Sequence, residues 1–268
     1  MLLKTSYINK KGESTSAPAM LVSWGARAVY IGPGLQLAAH RNAVAVLALA
    51  LETPMRVALD ARDLEQGFRV CRSVLIEPNQ LHLIEMGRHD HAFIYVDALS
   101  PDLTALRANC LKPGEKLSFD LVNEHILIDL LVQMPRNKLA WIETTPALAK
   151  NLGFIHREDE PRIRSVVQAL LLSCDDARPA ADWASEVGLS SSRFQHLFKE
   201  HVGISFRRFR LWARMRVALG HAMQGTSLTH AAMAAGFSNS AHFSTAFKRM
   251  FGMAPSQLIS VSPLYIET

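Results

Sequence analysis

The chain of 268 residues has few cysteines, no long apolar segment and no acidic residue between His201 and Ile266. Its three cysteines are scattered without the spacing of a metal site, which favours buried thiols in a reduced, cytoplasmic protein. No apolar run approaches the roughly 18 residues of a membrane helix, and the N-terminus lacks the apolar region of a signal peptide. We therefore expect no membrane partner.

The shortage of acidic residues is confined to the C-terminal part of the chain. Residues 161–268 carry 12 Lys and Arg against 6 Asp and Glu, whereas residues 1–160 carry 17 against 18. The acid-free stretch itself holds seven Arg and Lys. Because a solvated surface normally mixes both signs of charge, this imbalance favours binding of a polyanion. A merely basic surface is the alternative.

The hydrophobic pattern of the N-terminal half is typical of β-strands. Between about Ala26 and Ala98, short aliphatic runs alternate with turn signals, as in an antiparallel barrel or sandwich. Helices are then expected over 102–111, 118–134 and 146–152, with Ser118 as the N-cap of the second.

A charged stretch that ends at Pro161 separates this half from a wholly helical C-terminal part. We therefore predict an N-terminal domain of residues 1–158 and a C-terminal domain of residues 159–268.

One short sequence occurs twice in the C-terminal part. Residues 191–203 read SSRFQHLFKEHVG and residues 240–252 read SAHFSTAFKRMFG, with five identities in thirteen positions. Each copy follows a short helical segment and a turn at Gly188 or Gly236, where such turns commonly need a left-handed backbone. This order predicts two helix-turn-helix units.

The two copies share their inward phenylalanines and differ at the outward positions apart from one shared lysine. Phe194 and Phe198, like Phe243 and Phe247, lie four residues apart and are expected to pack inward. The outward side chains are not acidic, and several can hydrogen-bond base edges or touch a thymine methyl group. They are Ser192, Gln195, His196 and Lys199 in the first copy and Ala241, Ser244, Thr245 and Lys248 in the second.

The spacing of the copies fits one DNA duplex. A linking helix over 206–224 would span about 28 Å at about 1.5 Å per residue, against about 34 Å between successive major grooves. We therefore predict two recognition helices that read different sequences in adjacent grooves. A helical repeat for protein contact, or an architectural DNA binder without sequence preference, are alternatives, and the unequal outward faces argue against the second.

Residues from about 160 to 260 resemble the DNA-binding domain of the AraC/XylS family of bacterial transcription regulators. The second copy carries most of the resemblance: 231–237 reads AAMAAGF, 240–243 reads SAHF and 247–255 reads FKRMFGMAP. The resemblance implies seven helices, two helix-turn-helix units and a long linking helix. It implies double-stranded DNA and RNA polymerase as partners, at the bacterial nucleoid.

Matched positions imply the roles of individual side chains. Large side chains often occupy the family positions of Ser192 and His196, so readout by the first unit is expected to be weaker. The implied base contacts are Ser192, Gln195, His196, Ser240, Ala241, Ser244 and Thr245, and the implied phosphate contacts are Arg193, Lys199, Lys248 and Arg249.

The resemblance also implies an effector or dimerisation domain, often a cupin-like β-barrel, ahead of the DNA reader. The expected fold is therefore α+β with two domains: a cupin-like β-barrel with helices, and an all-α double helix-turn-helix domain. An apolar barrel can hold a small-molecule effector, with His40 and His82 as candidate polar contacts, although each could simply be a hydrogen-bonded histidine. The helix over 118–134 either forms a homodimer or packs on its own barrel.

A cupin-type metal enzyme with a basic domain is the alternative function. Such enzymes need two histidines at i and i+2, and His40 is followed by Arg41 and Asn42. His89 and His91 have that spacing but fall in a predicted turn, without enough converging ligands. No nucleophile motif or phosphate loop occurs, so we expect no catalytic residue, no metal and no cofactor.

Overall fold

The computed structural model describes residues 7–8, 14–15, 18–35, 37–58, 68–87, 89–154, 160–261 and 264–267. Strands and three helices form the N-terminal part, and residues 160–261 are helical. This is the two-domain α+β organisation that the sequence predicts. The boundary predicted between residues 158 and 159 lies outside the described residues.

The strands of the described residues form three sheets. They are β1 (Tyr7–Ile8), β2 (Ser14–Thr15), β3 (Met20–Trp24), β4 (Arg27–Pro33), β5 (Ala45–Ala50), β6 (Met55–Ala58), β7 (Arg69–Cys71), β8 (Ser73–Ile76), β9 (Leu83–Glu85), β10 (Asp90–Val96), β11 (Cys110–Lys112), β12 (Leu117–Leu121) and β13 (Leu264–Glu267).

The largest sheet has eight strands in the order β11-β12-β8-β5-β10-β4-β3-β13. Its pairs are antiparallel except β13, which runs parallel to β3. A three-stranded sheet, β7-β6-β9, accompanies it, and β1 pairs with β2. Within the described residues β11 and β13 are open edges, so the closed barrel expected from the sequence is wrong. A sheet that is covered on both faces needs no closure to bury its apolar side chains, and its β11 edge is only three residues long.

Side chains of alternate residues point to opposite faces of the large sheet. Leu47 and Ile94 belong to a core that α1–α3 cover, where α1 is Pro101–Ala108, α2 is Glu124–Gln133 and α3 is Lys138–Leu152. Val46 and Tyr95 belong to the other core, which continues into the small sheet and the C-terminal helices. Helices α1–α3 therefore cover one face, and the C-terminal helices cover part of the other.

Two helices predicted from the sequence differ in the structure. Residues 118–121 belong to β12, where Phe119 pairs with Val74 of β8, and Ser118 is a buried strand residue rather than an N-cap. Asn123 occupies the N-cap of α2 instead. The helix predicted to start at residue 146 starts at Lys138 and contains Pro146. The Asn137 side chain caps it by accepting a hydrogen bond from the Ala140 amide at 2.9 Å.

Residues 160–261 contain the seven helices that the resemblance implies. They are α4 (Pro161–Leu172), α5 (Ala180–Glu186), α6 (Ser191–Val202), α7 (Phe206–Met223), α8 (Leu228–Ala234), α9 (Ser240–Phe251) and α10 (Pro255–Ile259). Of the helices in the described residues, none is both long and apolar enough to span a membrane.

Candidate nucleic-acid interface

The two copies of the repeated sequence form two helix-turn-helix units, α5–α6 and α8–α9. Gly188 and Gly236 occupy the turns with φ of 68° and 75°, which confirms the predicted left-handed backbone. Each second helix begins at a side-chain cap. The Ser190 hydroxyl accepts from the Arg193 amide at 3.3 Å, and the Asn239 side chain accepts from the His242 amide at 2.8 Å.

The repeated phenylalanines form the inner face of each recognition helix. Phe194 and Phe198 are fully buried with ring centroids 5.7 Å apart, and Phe243 and Phe247 repeat this arrangement at the same distance. Phe206, at the start of α7, packs edge-on against the first pair. The shared phenylalanines are therefore core residues, as the sequence predicts.

The outer faces of α6 and α9 are accessible. Ser240 and Ser244 are half-buried, and the other predicted base-contact and phosphate-contact side chains are exposed. These exposed residues are Ser192, Arg193, Gln195, His196 and Lys199 on α6, and Ala241, Thr245, Lys248 and Arg249 on α9. The roles assigned to them from the resemblance stay predictions.

The two recognition helices differ in charge. On α6, His196 Nε2 lies 3.6 Å from a carboxylate oxygen of Glu200, and Gln195 donates to the Ser191 hydroxyl at 3.3 Å. α9 contains no acid. Glu200 sits one turn after His196 and was detectable from that spacing. Its charge opposes phosphate, so the second unit offers the more favourable surface to DNA.

Three arginines of the acid-free stretch bind other parts of the protein. Arg210 donates to the carbonyls of Arg178 at 3.1 Å and Asp176 at 2.5 Å, and Arg214 donates to the Cys174 carbonyl at 3.4 Å. The third, Arg208, pairs with a carboxylate of the N-terminal domain. Arg210 and Arg214 therefore tie α7 to the segment after α4, and Arg208 joins the two domains, so these three side chains are less available to a polyanion than composition suggests.

A buried carboxylate joins α7 to the N-terminal domain. Asp97 follows β10 and is 1% exposed. Its Oδ1 accepts from Arg208 Nε at 2.8 Å, and its Oδ2 accepts from Trp212 Nε1 at 2.9 Å. The backbone amide of Leu99 donates to the same carboxylate. Nothing in the local sequence indicates these bonds, because Asp97 and Arg208 are 111 residues apart.

The C-terminal end of α9 also contacts the N-terminal domain. The Ala43 amide donates to the Arg249 carbonyl at 2.9 Å, and the Phe251 ring packs edge-on against Tyr95 at 5.2 Å. Gly252 ends α9 with φ of 76°. A side chain there would approach both His40 and Asn42 closer than 3.0 Å, a distance that real Cβ contacts essentially never show. We call these contacts, together with those of Asp97, the docking seam.

The structure brings together His40 and His82, the two candidate effector contacts. Their backbones form an antiparallel bridge, and their ring centroids are 4.4 Å apart. Burial lowers the pKa of both imidazoles, that of His82 to about 4. The rings line a cavity of about 20 Å³ between the sheets, with otherwise mainly apolar walls. Its other lining residues are Leu35, Leu37, Asn42, Val46, Ile84, Met86, Phe93 and Tyr95.

His89 and His91 do not converge. His89 is exposed and contacts Glu52 at 3.1 Å, whereas His91 is buried in β10 rather than in the predicted turn, with its Nδ1 2.8 Å from the His89 carbonyl oxygen. Among the described residues no group of three or more His, Cys, Asp or Glu is placed to hold a metal ion.

Comparison with known proteins identifies the C-terminal part. The profile of a helix-turn-helix domain family matches residues 183–260. These residues are an AraC-type helix-turn-helix domain. The resemblance read from the sequence is thereby confirmed for this part of the chain.

Two curated transcriptional regulators each match just over a third of this chain. The uncharacterized HTH-type transcriptional regulator YidL of Escherichia coli is 32% identical over 99 residues, which are 37% of this chain and 33% of that protein. The regulator GlxA of Rhizobium meliloti is 32% identical over 101 residues, 37% of this chain and 31% of that protein. The chain thus matches about a third of the length of these relatives.

A solved structure resembles both domains together. The crystal structure of apo ToxT K231A from Vibrio cholerae aligns with a TM-score of 0.50 and 13% identity, over 88% of this chain and 97% of that one. At this identity the similarity concerns the fold alone. The two folds share a sheet-rich N-terminal part that is followed by a helical C-terminal part.

Proposed function

We propose that the chain is a sequence-specific transcription regulator that inserts α6 and α9 into two adjacent major grooves of one DNA duplex. The observation that carries the proposal is the pair of recognition helices, which present different polar side chains from the same buried aromatic frame. α7 joins them with 18 residues, a length of about 27 Å at about 1.5 Å per residue, comparable to the ~34 Å between grooves.

The proposal assigns the base contacts and phosphate contacts to the side chains named from the resemblance. Double-stranded DNA and RNA polymerase are the proposed partners, in the cytoplasm at the nucleoid. Residues 1–158 are the proposed effector and dimerisation domain, and residues 159–268 the proposed DNA-binding domain. The proposal includes no catalytic residue, metal or cofactor, and a metal analysis of the purified protein tests it against the cupin-type enzyme.

Two alanine variants test which side chains contact bases and which contact phosphates. DNA fragments bound in the cell are mapped genome-wide, and the affinity for one such fragment and for random DNA is then measured by fluorescence anisotropy across a salt series. Gln195→Ala should lose about 1–3 kcal/mol on the specific fragment only. Lys248→Ala should weaken both DNAs alike and reduce the salt slope by about one.

Lys150→Ala, an exposed lysine on α3, is the charge-matched control and should leave affinity and salt slope unchanged. Equal losses on both DNAs for Gln195→Ala, or an unchanged salt slope for Lys248→Ala, would contradict the assignment.

We further propose that an effector enters beside His40 and His82. The cavity of about 20 Å³ is far smaller than a ligand, so binding requires the sheets or the seam to separate. A thermal-shift screen of small molecules against the wild type and His82→Phe checks this. A response that the bulky ring abolishes supports the site, and an equal response in both proteins places the effector elsewhere.

The same domain offers a surface for a second copy. Val122, two residues before α2, and Ile126, in its first turn, are 48% and 38% exposed although both are apolar. Light scattering of the full chain should show a dimer that Ile126→Glu dissociates. Val70→Glu, at an exposed apolar residue of β7, is the control and should not change the mass. A monomeric wild type would refute the proposal that this surface forms a dimer.

A further inference from the structure

The histidine pair lies inside the docking seam. His40 approaches Gly252 so closely that its Nε2 would be 2.8 Å from a Cβ at that position. His82 packs behind His40, and each Nδ1 lies 2.9 Å from a backbone carbonyl, that of Ala38 or of Gln80. The same short segment supplies the Ala43 amide, which donates to the Arg249 carbonyl at the end of α9, and Asn42, whose side-chain oxygen lies beside Gly252. The pair is therefore part of the surface on which the second helix-turn-helix unit rests.

Within the described residues, no carboxylate forms an ion pair or a hydrogen bond with His40 or His82. Burial is the largest cause of the lowered pKa of both rings, and the charge of His40 lowers the pKa of His82 further. The charged side chains on the packed elements are either cationic or already paired. Among the described residues they include Arg41, which binds the Asn79 carbonyl, Glu77, paired with Arg107, Glu85 of β9, paired with Arg56, Lys248 and Arg249 on α9, and Asp97, paired with Arg208.

Protonation of the pair must therefore oppose docking. The docked state binds protons less readily than an undocked state in which the rings face water, so docking is fully favourable above pH 6.5 and weakens as the pH falls toward 4. If release of α9 exposes His82 to water, its pKa rises from about 4 toward the ordinary value of 6.5, and its protonation then shifts the equilibrium by up to about tenfold toward undocking at pH 5.5. Protonation of His40 acts in the same direction.

We propose that the docking seam is an acid-sensitive switch, in which protonation of His40 and His82 releases the end of α9 from the N-terminal domain. After release, the docking seam no longer fixes the orientation of the second helix-turn-helix unit relative to the N-terminal domain. The consequence for gene regulation rests on the proposed function, whereas the release itself does not.

Hydrogen exchange at one amide reports on the seam directly. Ala43 donates its amide proton to Arg249 across the two domains, so its protection factor measures docking in the full chain. Between pH 7.5 and pH 5.5 we expect this protection factor to fall about tenfold or more. The protection of Ile94, in the middle of the large sheet, should stay unchanged.

Asparagine variants assign the effect to the pair, because an asparagine amide can still donate to the Ala38 and Gln80 carbonyls. The double variant His40→Asn, His82→Asn should keep Ala43 protected at pH 5.5. In His82→Asn alone, the fall in the Ala43 protection factor should be up to about tenfold smaller than in the wild type. His89→Asn, at an exposed histidine of the same domain, is the matched control and should behave like the wild type.

Each other outcome overturns the proposal. Unchanged Ala43 protection in the wild type removes the switch, and an equal loss in the double variant places the titration elsewhere. A parallel loss at Ile94 shows unfolding of the whole domain rather than release. DNA does not enter these measurements, so their failure leaves the proposed function standing, and a failure to bind DNA leaves the switch standing.

Discussion

Substitution of Gly252 tests whether the second recognition helix is held by the N-terminal domain. Gly252→Ala adds one carbon at a residue with φ of 76°. A left-handed backbone costs an alanine about 1–2 kcal/mol relative to glycine. The new Cβ also meets His40 and Asn42 at distances that force the segment to shift, and overpacking of this kind costs about 1–3 kcal/mol. The total loss should be about 2–5 kcal/mol.

Gly188→Ala separates the two contributions. Gly188 has φ of 68°, and a Cβ there would meet nothing within 4 Å. This variant therefore carries the backbone cost of about 1–2 kcal/mol without the collision. It lies in the same domain, in the turn of the first helix-turn-helix unit, so the difference between the two variants measures the contact with His40 and Asn42.

Two measurements at pH 7.5 decide the question. Urea denaturation gives the free energy of unfolding, and hydrogen exchange gives the protection of the Ala43 amide. We expect Gly252→Ala to lose about 1–3 kcal/mol more than Gly188→Ala, and to lose Ala43 protection that Gly188→Ala retains. Equal losses of stability, with Ala43 protected in both variants, would refute the assignment of a domain contact to Gly252.

Two other predictions concern buried groups. Asp97→Asn leaves the shape of the site but removes the charge opposite Arg208, so docking should weaken by about 1–3 kcal/mol; a fall in Ala43 protection detects this, and unchanged protection contradicts it. Phe194→Ala and Phe243→Ala each empty an equivalent site in the two units and should each cost about 3–5 kcal/mol in urea denaturation. A large difference between the two losses would show that the buried phenylalanine pairs of the two units are not equivalent.

The helix-turn-helix units could be predicted because their determinants are local. Spacing of four residues places Phe194 and Phe198 on one helix face, and a glycine marks each turn. The second copy repeats the spacing in Phe243 and Phe247, so agreement between the copies supports a buried position for each phenylalanine. The accessible face then follows by exclusion, including Gln195 and Lys248.

The N-terminal half was predicted less accurately because its determinants are distant in sequence. Residues 118–121 can form a helix or a strand, and pairing with Val74 of β8 selects the strand. Closure of a sheet depends on which strands become edges, and no single strand carries that information. The partners of Asp97 are equally invisible, because an aspartate after a strand has no local reason to bind a tryptophan 115 residues away.

The docking seam acts on the two units unequally. Its contacts on the C-terminal side lie on α7, through Arg208 and Trp212, and at the end of α9, through the Arg249 carbonyl and Gly252. α6 instead packs against α4, α5 and α7. A change in the N-terminal domain therefore reaches α9 directly and reaches α6 through α7. Since a rigid α7 sets the distance between the two helices, we infer that a signal from the N-terminal domain changes their relative orientation rather than the side chains that face DNA.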